Sequence, residues 1–175
     1  MKLWVLGIDP GLSGAFVLTN GEDVRVWLMP VKHYGKEREI DFKGVTNILG
    51  KTRTGATIPH IYLERAVAFG MGTKSAFNYG RGFAALEIAI NLSRIPATHI
   101  EPGKWTKVMH AGIDARLKPK EKSQIAVSRV APHLVSALPK RGERFAEGPM
   151  DALLIALYGL RELNGANKMQ IEDFR

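Results

Sequence analysis

Of the 17 acidic residues, three fall where a carboxylate can do chemistry. Asp9 closes a nearly unbroken apolar run, Leu3 to Ile8, and is followed at once by the turn residues Pro10-Gly11-Leu12-Ser13-Gly14. Glu64 ends a second short apolar segment, Ile61-Tyr62-Leu63-Glu64, and Asp151 opens the alanine-rich stretch after Pro149-Met150. Carboxylates brought to one edge of a sheet repel one another, and a cation normally holds them together. Magnesium prefers carboxylate and water oxygens and retains waters for chemistry. Two such ions about 4 Å apart activate a water and stabilise the leaving oxygen in phosphodiester cleavage. The expected cofactor is therefore magnesium, with manganese as the alternative. Each acid also has a plain structural role open to it. Asp9 can end a strand beside a turn, Glu64 can pair with Arg65, and Asp151 can favour a helix N-terminus through the macrodipole. Periodicity alone does not bring the three together.

The elements that must position these acids are legible in outline. The run Leu3–Ile8 reads as a strand buried on both faces. Residues 15–19 form a second strand, Asn20-Gly21 signals a hairpin that Glu22-Asp23 lengthens, and alternation over 24–28 gives a third, half-exposed strand. Residues 30–43 are polar and read as a loop leading into a short helix, about 41–51. His60–Glu64 is a short strand, and residues 66–74 a glycine-rich segment. Ser75 is placed to cap a long helix to about Ser93, with Phe77, Ala84, Ile88 and Leu92 at helical spacing. Residues 97–100 form a fifth strand, followed by short helices at 102–110 and 120–130 and another turn at 133–138. Residues 139–148 read as a charged loop, with Pro149 as first residue of a last helix running to about Leu163. Three antiparallel strands followed by alternating helices and strands describe an α/β fold, a mixed five-stranded sheet flanked by helices. One domain is expected over residues 1–164, with a C-terminal tail at 165–175.

Composition narrows the function. The chain has 175 residues, 45% hydrophobic and 24% charged, enough for a core of its own. With no cysteine, disulfides and thiolate metal sites are excluded, and the five histidines show no ligand spacing. No stretch approaches the roughly 18 apolar residues of a membrane span, and a cytoplasmic protein with no membrane partner is expected. The net charge of +8 favours a polyanion as partner, and nucleic acid is the commonest.

The motifs run in an order that resembles the RuvC-type Holliday junction resolvases, of the ribonuclease H-like superfamily. Gly7-Ile8-Asp9-Pro10-Gly11-Leu12-Ser13-Gly14 resembles that family's first motif, Tyr62-Leu63-Glu64 its second carboxylate motif, Glu121-Lys122-Ser123-Gln124-Ile125 its basic helix, and Met150-Asp151-Ala152-Leu153-Leu154-Ile155-Ala156 its last motif. Singly the motifs are weak; together they span residues 3–163. Ile100-Glu101-Pro102-Gly103-Lys104-Trp105 looks more like the phage-type branch. The resemblance implies a ribonuclease H-like fold, with Asp9, Glu64 and Asp151 as metal ligands. It also implies a homodimer that nicks two opposed strands of a four-way junction as a crossover junction endonuclease. One position departs: the Asp or His usual three residues before the last aspartate is Gly148, and Glu147, one residue earlier, is the substitute expected as fourth ligand. Lys122 takes the place of a lysine that stabilises charge developing on the phosphate.

A DNA-contacting track is expected from Lys104 and Lys107 beside Trp105, from Lys118 and Lys120, and from Lys74 and Arg81, with Arg53 as an extension. Phe69 can stack on an unpaired base or bury in the core; Trp4, Trp27 and Phe77 read as packing residues. Two other readings stay open: a ribonuclease H-like nuclease acting on RNA–DNA hybrids or structured RNA, and a junction-binding protein with a degenerate site.

Overall fold

The computed structural model describes residues 2–35, 37–53, 57–65, 70–141, 144–145 and 147–172. Its elements are β1 (Val5–Asp9), β2 (Ala15–Thr19), β3 (Val24–Leu28), β4 (Val31–Tyr34), β5 (Glu37–Ile40), α1 (Phe42–Lys51), β6 (His60–Glu64), α2 (Thr73–Ser93), β7 (Ala97–Ile100), α3 (Pro102–Met109), α4 (Pro119–Val130), a 3-10 turn (Pro132–Ala137), β8 (Lys140–Arg141), β9 (Arg144–Phe145) and α5 (Glu147–Glu172). The main sheet has the order β3-β2-β1-β6-β7. β1, β2 and β3 pair antiparallel, and β6 and β7 join them parallel. This is the ribonuclease H-like arrangement.

Period two along the strands divides the core between two faces. Val5, Ala15, Val17 and Tyr62 pack with α3, α4 and α5. Leu6, Ile8, Phe16, Leu18, Ile61 and Leu63 pack with Val45, Ile48 and Leu49 of α1 and Leu86, Ala89 and Ile90 of α2. α5 lies directly on β1 at Gly7, where an added Cβ would stand 2.1 Å from the Ala152 carbonyl oxygen and 2.6 Å from the Ala156 nitrogen. Only glycine admits the helix at that depth.

Several expectations are corrected. Residues 31–34 and 37–40 are an antiparallel hairpin rather than a loop. Its strands are mostly exposed and charged, so they lack the apolar alternation that marks a strand in sequence. They are pinned to α2 by Lys74–Glu37 and Arg81–Glu39 ion pairs, each 2.7 Å. α2 begins at Thr73 with Gly72 at its cap, so Ser75 lies inside the first turn; glycine serves tolerably at a cap. The apolar stripe on α2 faces outward: Phe77, Ile88 and Leu92 are 65%, 54% and 70% exposed. Phe77 is thus no core residue, because the sheet and α1 are met by the adjacent face carrying Leu86, Ala89 and Ile90. A two-residue hairpin pairing, β8 with β9, interrupts the charged loop before α5. α5 starts at Glu147, making Pro149 its third residue. The first four N–H groups of a helix have no partner within it, so proline costs little there. The helix also continues through Glu172 rather than ending near Leu163. No helix among the described residues is long and apolar enough to cross a membrane.

Candidate functional site

The strand period that builds the core also aims two of the acids. Val5 and Gly7 face α5, so Asp9, two further on, projects on the same side; His60, Tyr62 and Glu64 repeat this on β6. β1 and β6 run parallel with Ile8 opposite Leu63, and one more step sets Asp9 against Glu64 across neighbouring strands, about 4.8 Å apart. Asp151 comes from the first turns of α5, lowered onto β1 at Gly7. The positive end of that helix is turned to the acids.

Electrostatics couples the three. Burial raises the Glu64 carboxyl from its ordinary 4.5 to about 7; the Trp105 hydrogen bond opposes this, and the charges of Asp9 and Asp151 add to it. Burial likewise raises Asp151 from 3.8 to about 7, against the Ser123 hydroxyl and with the charges of Asp9 and Glu147. Asp9 is raised by burial, lowered by the Gly11 N–H that donates to its Oδ1 at 3.1 Å, and raised by Glu147. Among the described residues, Asp151 Oδ1 is buried with no hydrogen-bond partner. An unpaired buried carboxylate oxygen costs free energy unless a cation meets it, so this donor set fits a hard divalent ion. No three of the described side chains already form a tight chelate.

The surroundings contain groups that sequence reasoning missed. Trp105 Nε1 donates to Glu64 Oε1 at 2.7 Å. His110 Nε2 lies 3.3 Å from Ser123 Oγ. The Tyr79 hydroxyl is pushed up to about 12 by burial and by the charges of Glu64 and Asp9, which places α2 at the rim of the site. Ser123 and Trp105 had only their places in quoted motifs as cues, and neither pointed to an acid; Trp105 stands 41 residues from Glu64 and meets it only through the fold.

The remaining sequence-predicted residues disperse. Glu147 lies within the first turn of α5 and not in a preceding loop; its carboxylate pairs with Lys120. Lys122 Nζ donates to the Ala115 carbonyl at 2.8 Å, so Lys120 is the α4 lysine seen in contact with an acid of the constellation. Lys74 and Arg81 are held by the β4–β5 hairpin, and Arg53 donates to the Ser93 carbonyl at 2.7 Å. Lys104, Lys107 and Lys118 are exposed along α3 and the start of α4. Glu64 does not pair with Arg65, which binds Glu101 at 2.8 Å. Phe69 lies outside the described residues. Gly148 packs against the first motif: a Cβ there would meet the Ser13 carbonyl oxygen at 2.2 Å and the Gly14 Cα at 2.6 Å.

No protein-family model matches the sequence, and no curated protein matches it. Solved structures match the fold. Thermus thermophilus RuvC in complex with Holliday junction substrate is 21% identical, with a TM-score of 0.58, covering 89% of this chain and 90% of that one. Thermus thermophilus RuvC solved separately is 18% identical, with a TM-score of 0.54 and coverages of 93% and 97%. At such identities the likeness establishes the fold; what the chain does rests on its own residues.

Proposed function

We propose that this protein is a metal-dependent endonuclease that cuts four-way or otherwise branched DNA, with Asp9, Glu64 and Asp151 as its acidic centre. The observation that carries the reading is the convergence of three mutually repelling carboxylates from β1, β6 and α5, one with a buried oxygen unpaired among the described residues. The likeness to a resolvase solved with junction DNA supports the choice of substrate. When bound there, magnesium or manganese supplies Lewis acidity and an activated water for phosphodiester hydrolysis.

The chain's own part is to hold and admit. Gly7 fixes the depth of α5 and hence of Asp151. Trp105 and Ser123 line the inner side of the carboxylates and limit water there. Lys104, Lys107, Lys118 and Lys120 offer positive charge along α3 and α4 to a DNA backbone. Glu147, paired here with Lys120, would be the fourth residue to hold the cation, and Lys120 would then offer its charge to phosphate; Lys122 contributes general positive charge. Paired nicks require two centres related by a two-fold axis, and the exposed Phe77, Ile88 and Leu92 of α2 supply an apolar face for a second copy.

The test is incubation of purified protein with labelled four-way junction, linear duplex and RNA–DNA hybrid, with and without magnesium or manganese. Symmetric, metal-dependent nicks in the junction are expected. Cleavage confined to the hybrid would reassign the substrate. Junction binding with no cleavage under either metal would overturn the enzymatic reading.

A further inference from the structure

Beside the carboxylates, α3 and α4 contribute a connected row of groups. Trp105 is 4% exposed, and its indole N–H is satisfied by Glu64 Oε1 at 2.7 Å. Its ring meets that of His110 edge-on, centroids 5.5 Å apart at 74°. His110 Nε2 reaches the buried Ser123 hydroxyl at 3.3 Å, and that hydroxyl in turn steadies Asp151. One aromatic pair thus stands behind two acids that come from different elements.

We propose that Trp105 is a positioning residue of the acidic centre: its indole N–H takes Oε1 of Glu64, fixes the rotation of that carboxylate, and leaves Oε2 as the oxygen turned to a divalent cation. The indole nitrogen only donates, so the bond persists while Glu64 is a carboxylate. The ring cannot swing away to follow the acid, because it is buried and backed by His110. Partners of this kind orient ligands, and their loss typically costs about 10–100-fold in metal affinity or activity. A tryptophan that merely fills the core would be served nearly as well by phenylalanine. The inference rests on the reading above only in that the acids hold a cation.

The test uses the full chain and manganese, whose binding is followed by electron paramagnetic resonance. Trp105→Phe should bind manganese about 10-fold or more weakly, with metal-free junction binding unchanged. As a second measurement, the indole N–H signals of the three tryptophans are followed by nitrogen-15 NMR in wild-type protein, assigned with Trp4→Phe and Trp27→Phe. The Trp105 signal should move on adding magnesium and in Glu64→Gln. Wild-type manganese affinity in Trp105→Phe would overturn the proposal. If that variant does not fold, a Trp105 signal indifferent to both magnesium and Glu64→Gln would do the same. Trp105-dependent manganese binding without cleavage of junction, duplex or hybrid sinks the nuclease reading and leaves this one standing. Normal cleavage with a silent Trp105 does the reverse, and wild-type protein that binds no manganese removes both.

Discussion

On the face of the sheet covered by α1 and α2, the inward positions of β1, β2 and β6 are Leu6, Ile8, Phe16, Leu18, Ile61 and Leu63, all fully buried. On the face covered by α5, β1 and β6 instead present Val5, Gly7 and Asp9, and His60, Tyr62 and Glu64. Neighbours in sequence therefore serve different ends. The apolar face owes its stability to the area it removes from water, whereas the α5 face gives up side-chain volume at Gly7 to bring a helix end, and Asp151 with it, close to two acids. The first face tolerates hydrophobic exchange if volume is kept. The second is constrained at the backbone itself.

The sharpest way to break this contrast is to substitute across it. Asp9→Asn should lower cleavage by at least about a thousandfold, roughly 4 kcal/mol of transition-state stabilisation, while junction binding persists or tightens as a negative charge leaves. Ile8→Ala, one residue away on the other face, should cost about 2–5 kcal/mol of stability with little loss of turnover below its melting temperature. Nicking assays and calorimetry on both variants decide; cleavage retained by Asp9→Asn would take that residue out of the centre.

A smaller effect separates the faces by pH. Folding raises Glu64 and Asp151 from ordinary values of 4.5 and 3.8 to about 7. Their contribution to stability is therefore complete below about pH 4 and is lost as pH rises through 7. Metal-free protein should lose stability from these groups between about pH 4 and pH 7. At pH 8 Asp151→Asn should melt several degrees above wild type, roughly 1–3 kcal/mol, and added magnesium should close that gap. Scanning calorimetry in chelator measures it, and a variant no more stable than wild type at pH 8 counts against the buried, unpaired carboxylate.

Next in size comes Glu147→Gln, expected to slow cleavage about tenfold at low magnesium with recovery as metal is raised. A loss that magnesium does not rescue would assign Glu147 to the Lys120 pair alone. The smallest change is expected from Lys104→Ala with Lys107→Ala: a shallower dependence of junction binding on salt, by up to about two in the logarithmic slope, and unchanged turnover. Lys122→Ala sharpens this further, since its ammonium already holds the Ala115 carbonyl. A large fall in turnover there would show that the lysine moves when DNA binds.

The sheet was legible because its strands obey period two and are bounded by turn residues; β1, β2, β3, β6 and β7 fall within two residues of where the pattern puts them. The same counting puts Asp9 and Glu64 on one face, but nothing in sequence says that α5 covers that face. The β4–β5 hairpin was hidden because it is charged and exposed, and its stabilising partners, Lys74 and Arg81, lie on a helix some forty residues away. The stripe on α2 was visible, yet periodicity cannot tell a covered apolar face from an open one. Trp105 was read through its lysine neighbours; the bond that matters to it is made by folding, across β6 and α3.

The close approach of Gly148 to Ser13 and Gly14 restricts how this centre can change over time. A single codon change that placed an acid at 148 would drive its first carbon into the turn that follows Asp9. A ligand gained there would force residues 10–14 or the start of α5 to shift, so it costs packing unless that turn is lengthened or re-routed with it. The two motifs are thus coupled through one contact, and a chimera grafting the last helix of a protein with an acid at this position onto this sheet should be less stable than one that brings its first turn as well.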